Sequence, residues 1–211
     1  MSLSPLLLEH DKPPEIKPKA NKSNYMSFAP LNAMQRGQLI AKYHLSDRQI
    51  NFGGLRWSTT EDRLILPIRG VNGRTVGFVV RSENPEVKPK ALTYLHTTET
   101  ACGAFYITQP LSRRIWLVED QLSAIRLTEY VNSLALLGTN LSKSLLAELK
   151  ACKIESVTVC LDADAKEKAF SISKNISGLF GHIAVRFPPK DIKNMTFFEL
   201  RDFMKENNGQ Q

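Results

Sequence analysis

A chain of 211 residues with 42% apolar side chains is long enough for one large domain or two small ones with a real core, which excludes a disordered or fibrous class. Its formal charge of +7 and pI near 9.4 favour a polyanionic partner, a balance that many ordinary soluble proteins share. Cys102, Cys152 and Cys160 have no Cys-x-x-Cys spacing and the histidines are scattered, so no zinc site is readable and a reducing cytoplasm is expected. Leu6-Leu7-Leu8 is far too short to span a bilayer, and no membrane association is expected.

Residues 1–25 read as a disordered tail. Asp11 to Asn24 hold Pro13, Pro14, Pro18 and four lysines with hardly an apolar side chain, too little to offset the entropy of ordering. Such a tail is a spacer, or an arm that touches nucleic acid or a protein partner. Leu31, Met34, Leu39, Ile40 and Tyr43 recur at helical spacing and predict a helix, with Ser46 capping a second short one through Ile50. Residues 63–68 and 75–81 predict strands joined through Asn72-Gly73, the signature of a type I′ hairpin. Pro67 predicts that the first of these strands is an edge or carries a bulge. Residues 26–110 thus read as an α+β subdomain, antiparallel from about 55 to 108.

From residue 111 to 211 the rhythm changes. Strands at 115–118, 133–137, 157–161 and 183–187 alternate with helices at 121–131, 142–151, 166–180 and 197–206, which predicts an α/β layer with a mostly parallel sheet. Gly181 stands where a helix C′ residue belongs, and Thr196-Phe197-Phe198-Glu199 has the form of a capping box. Charge is asymmetric too: 14 Lys/Arg face 9 Asp/Glu up to residue 110, and 14 face 12 beyond it. That suits a first half that holds a nucleic-acid backbone and a second half that binds metal, or else a uniformly solvated surface.

Three acidic stations carry the chemistry: Glu119-Asp120, Asp162-x-Asp164 and Asp191. The first two come directly after apolar runs, and parallel sheets place their ligand sites beyond the carboxyl ends of strands. Glu119 and Asp120 also suit the N-terminus of the next helix, where a carboxylate complements the dipole. Asp162 and Asp164, two apart in an extended segment, leave on the same side and repel unless a cation or shared proton compensates; either can also cap the helix from Lys166. Asp191 comes after a rigid Pro188-Pro189-Lys190 and alone would be a loop aspartate. Oxygen ligands without histidine or thiol favour Mg²⁺ or Mn²⁺, completed by substrate phosphates, and so phosphoryl or nucleotidyl transfer or phosphodiester hydrolysis.

These residues resemble a family, the Toprim domain shared by bacterial and phage primases, topoisomerases and several nucleases. Leu117-Val118-Glu119-Asp120-Gln121-Leu122-Ser123-Ala124-Ile125 resembles its glutamate motif, Val159-Cys160-Leu161-Asp162-Ala163-Asp164 its Asp-x-Asp motif, and Pro189-Lys190-Asp191 the later acidic position of phage primases. Upstream, residues 63–68, 73–81 and 94–100 look like the primase N-terminal subdomain, and Leu137-Gly138-Thr139-Asn140-Leu141-Ser142 looks like its Leu-Gly-Thr turn. The resemblance covers roughly residues 30 to 200. The chain departs from it where Asp120 replaces a glycine and where Lys166-Glu167-Lys168 replaces Ala-Gly. No zinc-binding module is readable.

The resemblance implies a Rossmann-like Toprim layer preceded by the smaller α+β subdomain, and a phage-type primase core that makes RNA primers from ribonucleoside triphosphates on a single-stranded DNA template. It makes Glu119, Asp162 and Asp164 the catalytic acids, and Glu119, Asp120, Asp162, Asp164 and Asp191 the holders of Mg²⁺ or Mn²⁺. Template and nucleotides would lie along Arg63, Arg69, Arg74, Arg81, Lys88 and Lys90, with Lys190 beside the acids; Arg74 and Lys88 serve equally as solvated loop charges. A replicative helicase or a separate template-recognition protein would be the partner, in the cytoplasm of a phage-infected cell. The alternatives are a Toprim nuclease and a catalytically silent nucleic-acid-binding or replisome-adaptor protein.

Overall fold

The computed structural model describes residues 27–96, 103–138 and 141–208. The proline- and lysine-rich tail, Cys102, residues 97–100 of the upstream motif and Thr139-Asn140 of the Leu-Gly-Thr turn lie outside the described residues.

Two five-stranded sheets divide the chain. In the first, β1 (Phe28–Pro30), β2 (Arg56–Ser58), β3 (Arg63–Arg69), β4 (Thr75–Arg81) and β5 (Ala91–Leu95) pair antiparallel in sequence order. Helices α1 (Ala33–Tyr43) and α2 (Asp47–Gly53) interrupt it, each opened by a capping box, Asn32 with Gln35 and Ser46 with Gln49. These caps satisfy amide donors that a helix start otherwise leaves open.

Of the two outcomes that Pro67 predicts, an edge strand or a bulge, β3 shows the second: it is a central strand that carries a bulge. The proline is tolerated because β2 pairs only with Arg63 to Ile65, so the Pro67 position has no neighbour on that side to lose a hydrogen bond to. The predicted bulge is present one residue further on, between Ile68 and Arg69. The hairpin between β3 and β4 also differs from a type I′ turn. Gly73 donates to the Gly70 carbonyl (2.9 Å) and is itself left-handed (φ 76°), while Asn72 keeps a negative φ and its side chain accepts from the Arg74 amide (3.0 Å). A longer turn ending in a left-handed glycine absorbs the register shift that the bulge introduces.

The second sheet runs β10-β9-β7-β8-β6. Strands β7 (Arg114–Val118), β8 (Asn132–Ala135), β9 (Ser156–Cys160) and β10 (His182–Arg186) are mutually parallel, and β6 (Ala104–Tyr106) closes one edge antiparallel. Helices α3 (Gln121–Leu127), α4 (Lys143–Ala151), α5 (Lys166–Asn175) and α6 (Phe197–Asn208) supply the crossovers and the end. Helix α5 stops at Asn175, well before Gly181; the left-handed glycine of the next turn is Gly178 (φ 77°). The capping box of α6 is formed, with Glu199 accepting from the Thr196 amide (2.7 Å) and donating its own amide to Thr196 Oγ1 (3.3 Å).

Side chains of β7 alternate between two cores, as a strand buried on both faces requires. Ile115 and Leu117 join Leu145, Leu149, Ala169 and Ile172 of α4 and α5. Trp116 and Val118 face the other way, into a core built from α3, α6 and the inner face of the first sheet through Leu64, Leu66 and Ile68. The two sheets therefore share one hydrophobic interior, with Ile125 of α3 wholly buried in it. Helix α2 comes so near that a β-carbon on Gly53 would stand 2.8 Å from Ile125 Cδ1.

Candidate functional site

Because β7, β9 and β10 run in the same direction, the segments leaving their carboxyl ends gather at one edge of the sheet. Glu119 and Asp120 come directly after β7, Asp162 two residues after β9, and Asp191 at the end of the Pro188-Pro189 exit from β10. Between the two sheets this edge borders a cleft of about 170 Å³, walled by Leu66, Val79, Arg81 and Thr93 on one side and by Glu119, Asp120 and Gln121 on the other. Gln121 sets the seam. Its buried amide donates to the Pro67 carbonyl (2.8 Å) and to Tyr106 Oη (3.1 Å), tying α3 to β3 and β6.

The acids are not equivalent. Asp120 is the N-cap of α3: one oxygen accepts from the Ser123 amide (2.9 Å) and the other from the Lys193 ammonium (2.6 Å). The same ammonium stands 3.0 Å from Asp191. Lys193 is on the one-turn 3₁₀ helix Ile192–Asn194, and its side chain is only 12% exposed. Two carboxylates hold it charged, pushing its pKa far above the usual lysine range against the opposing effect of burial.

Asp162 behaves oppositely. Burial, then the negative charges of Asp191, Glu119 and Asp120, push its pKa up to about 7, with Lys193 opposing. Asp191, which shares a hydrogen bond with Asp162 and pairs with Lys193, is held below the ordinary carboxylate range despite its own desolvation. The Glu119 side chain has no hydrogen bond or ion pair among the described residues, and Asp162 titrates under its charge. Asp164 stands exposed on the 3₁₀ turn Ala163–Ala165. The backbone there is not extended, so the side chain does not obey the two-residue alternation the sequence predicts.

Four carboxylates with one ammonium leave the cluster with surplus negative charge, and Glu119 and Asp162 are the two without an ion pair to Lys193. These two fit a hard cation completed by water and phosphate oxygens. Asp120 and Asp191 do not offer the same room, since Lys193 lies between them. Among the described residues, no three His, Cys, Asp or Glu side chains are grouped so as to enclose an ion by themselves.

The basic residues divide in two. Arg63 is buried and donates to the Pro89 carbonyl (3.0 Å), and Arg69 donates to the Phe52 carbonyl (2.8 Å) across its ring. Arg81 lies over the Tyr43 ring beside Glu83 (3.6 Å) while lining the cleft. Arg74, Lys88 and Lys90 are exposed, and the Lys90 charge reaches Asp191. Lys190 is exposed and paired with Glu199 (2.9 Å). Sequence reasoning missed Lys193, Gln121 and Arg126. Arg126 is buried on α3 and donates to the Met195 carbonyl (2.9 Å) and to the His44 carbonyl, fixing the segment that bears Asp191 and Lys193 against the helix that Asp120 caps. A cation two residues after the third acid was the available signal for Lys193.

An antiparallel sheet facing the acidic edge of a parallel one defines a fold class, and solved structures share it. A DNA primase domain from Pseudomonas aeruginosa superposes with a TM-score of 0.60 at 22% identity, covering 91% of this chain and 68% of that one. The DnaG catalytic core gives 0.62 at 18%, over 82% and 73%. A DnaG primase catalytic domain bound to single-stranded DNA gives 0.58 at 18%, over 88% and 65%. No family model matches the sequence, and no curated protein matches it. The chain has the fold of the primase catalytic cores, an α/β layer of Toprim type with its upstream sheet.

Proposed function

We propose that the protein is a primase core of phage type, making short RNA primers on single-stranded DNA in the cytoplasm of the infected cell. The observation that carries this reading is Glu119 on the wall of a cleft whose other wall is the upstream sheet, with Asp162, at the end of the neighbouring parallel strand, under its charge. The likeness in fold to a primase domain bound to single-stranded DNA supports it.

In this reading the 3′-hydroxyl of the growing primer attacks the α-phosphorus of a ribonucleoside triphosphate. The bond to the β-phosphate breaks, pyrophosphate leaves, and the hydroxyl proton passes to Glu119 or to solvent. Glu119 and Asp162 would hold Mg²⁺ or Mn²⁺, which when bound lowers the barrier by neutralising phosphate charge. Arg81, fixed over Tyr43 at the cleft wall, orients the triphosphate, and the exposed Arg74, Lys88 and Lys90 hold the template backbone. A helicase or separate recognition protein would supply the priming site.

Purified protein with single-stranded DNA, the four ribonucleotides and Mn²⁺ or Mg²⁺ is expected to yield short oligoribonucleotides, and Glu119→Gln to abolish them. No product even with replicative helicase present, or a Glu119→Gln protein indistinguishable from the parent, overturns the proposal. The Lys193 ammonium, which bridges two of the four acids, favours a second reading, a silent nucleic-acid-binding adaptor. That reading expects salt-sensitive DNA binding unchanged by alanine at Glu119, Asp162 and Asp164.

A further inference from the structure

Lys193 is placed with unusual care for a loop lysine. Its ammonium touches both Asp120 (2.6 Å) and Asp191 (3.0 Å), and its stem is nearly sequestered from solvent. Two wholly buried core residues, Ile192 and Met195, flank its turn. Arg126 pins the Met195 carbonyl to α3, the helix whose N-cap is Asp120. The lysine and both of its carboxylates are thus fixed to one another through the backbone, before any ligand enters.

In phosphoryl chemistry that uses paired metals, ions a few ångströms apart each need carboxylate oxygens. Here two of the carboxylates that could serve such ions, Asp120 and Asp191, are already bridged by a tethered monovalent charge. We infer that Lys193 replaces a divalent ion between Asp120 and Asp191, so that the acidic edge takes a single Mg²⁺ or Mn²⁺, at Glu119 and Asp162. This rests on the reading of Glu119 and Asp162 as ion ligands. Lys193 is a positioning residue. It holds Asp191 and the helix-capping Asp120 in place and sets how many ions the site accepts, while the acids it leaves open bind the ion.

The test uses Mn²⁺ alone with the full chain, counting bound ions by paramagnetic resonance of free Mn²⁺ during titration. The parent is expected to bind one ion, Lys193→Gln to bind two, and Lys193→Arg, which keeps the charge, to bind one. A parent that binds two ions overturns the inference and leaves the metal reading of Glu119 and Asp162 intact. So does a folded Lys193→Gln protein that still binds only one. Absence of Mn²⁺ binding in parent and variant alike overturns both. Crystals of the unaltered protein soaked in Mn²⁺ give a check that needs no variant. One anomalous peak beside Glu119 and Asp162 is expected, and a peak between Asp120 and Asp191 with the ammonium displaced would refute the substitution of ion by lysine.

Discussion

The two sheets treat their charges in opposite ways. On the upstream sheet, three arginines are committed to the protein itself: Arg63 and Arg69 to backbone carbonyls, and Arg81, which lines the cleft, to a tyrosine ring and Glu83. At the downstream edge, Asp120 and Asp191 are committed to Lys193, while Asp162, half-buried, lies under the negative charges of Asp191, Glu119 and Asp120. The upstream wall, whose one arginine is already paired, therefore faces an acidic edge that Lys193 compensates only in part, and the half it leaves uncompensated is where a cation gains most.

The largest expected effect bears on that uncompensated half. Glu119→Gln should lower primer synthesis by about 10²–10⁴-fold, the usual contribution of a positioned acid or base, with the melting profile unchanged. Parent-like synthesis would erase the distinction between free and committed acids. Next comes the interior the two sheets share. Ile125→Ala should cost about 2–5 kcal/mol in denaturant unfolding, because its side chain is wholly buried in the core that joins them. A loss confined to one sheet, seen as two separate transitions, would show that the halves fold independently.

Gln121→Leu should cost about 1–3 kcal/mol, since it leaves the Pro67 carbonyl without its buried donor. A smaller effect is a pH trend. The Asp162 pKa is raised from an ordinary value near 3.8 to about 7, so between these values the unfolded chain holds fewer protons at this position than the folded one. Its contribution to stability falls as pH rises from about 4 to about 7 and is level above. Asp162→Asn should flatten that slope in melts taken across the window; an unchanged slope would place the titration elsewhere. Smallest of all, alanine at exposed Arg74, Lys88 or Lys90 should each reduce the slope of log affinity against log salt for single-stranded DNA by about 0.7, whereas alanine at buried Arg63 should leave the slope alone and lower stability.

Much of this arrangement was legible because it is local. The capping residues Ser46 and Thr196 and the apolar runs before Glu119 and Asp162 announce themselves within a few positions. The features that sequence reasoning got differently depended on neighbours far along the chain. Pro67 left an edge and a bulge open, and it is the short pairing with β2 that lets it sit in a bulged central strand, while Asn72 keeps a negative φ in a turn that is not type I′. The acids were found by their place after strands, but their unequal states were not, since those arise from Lys193, 73 residues from Asp120 and without any periodic signal of its own.

The Gln121 amide ties the two sheets together at once, through Pro67 of β3 and Tyr106 of β6. It acts like the pin of a calliper. The jaws are held at a set gap, so the spacing of the two sheets beside the cleft is fixed by the fold itself.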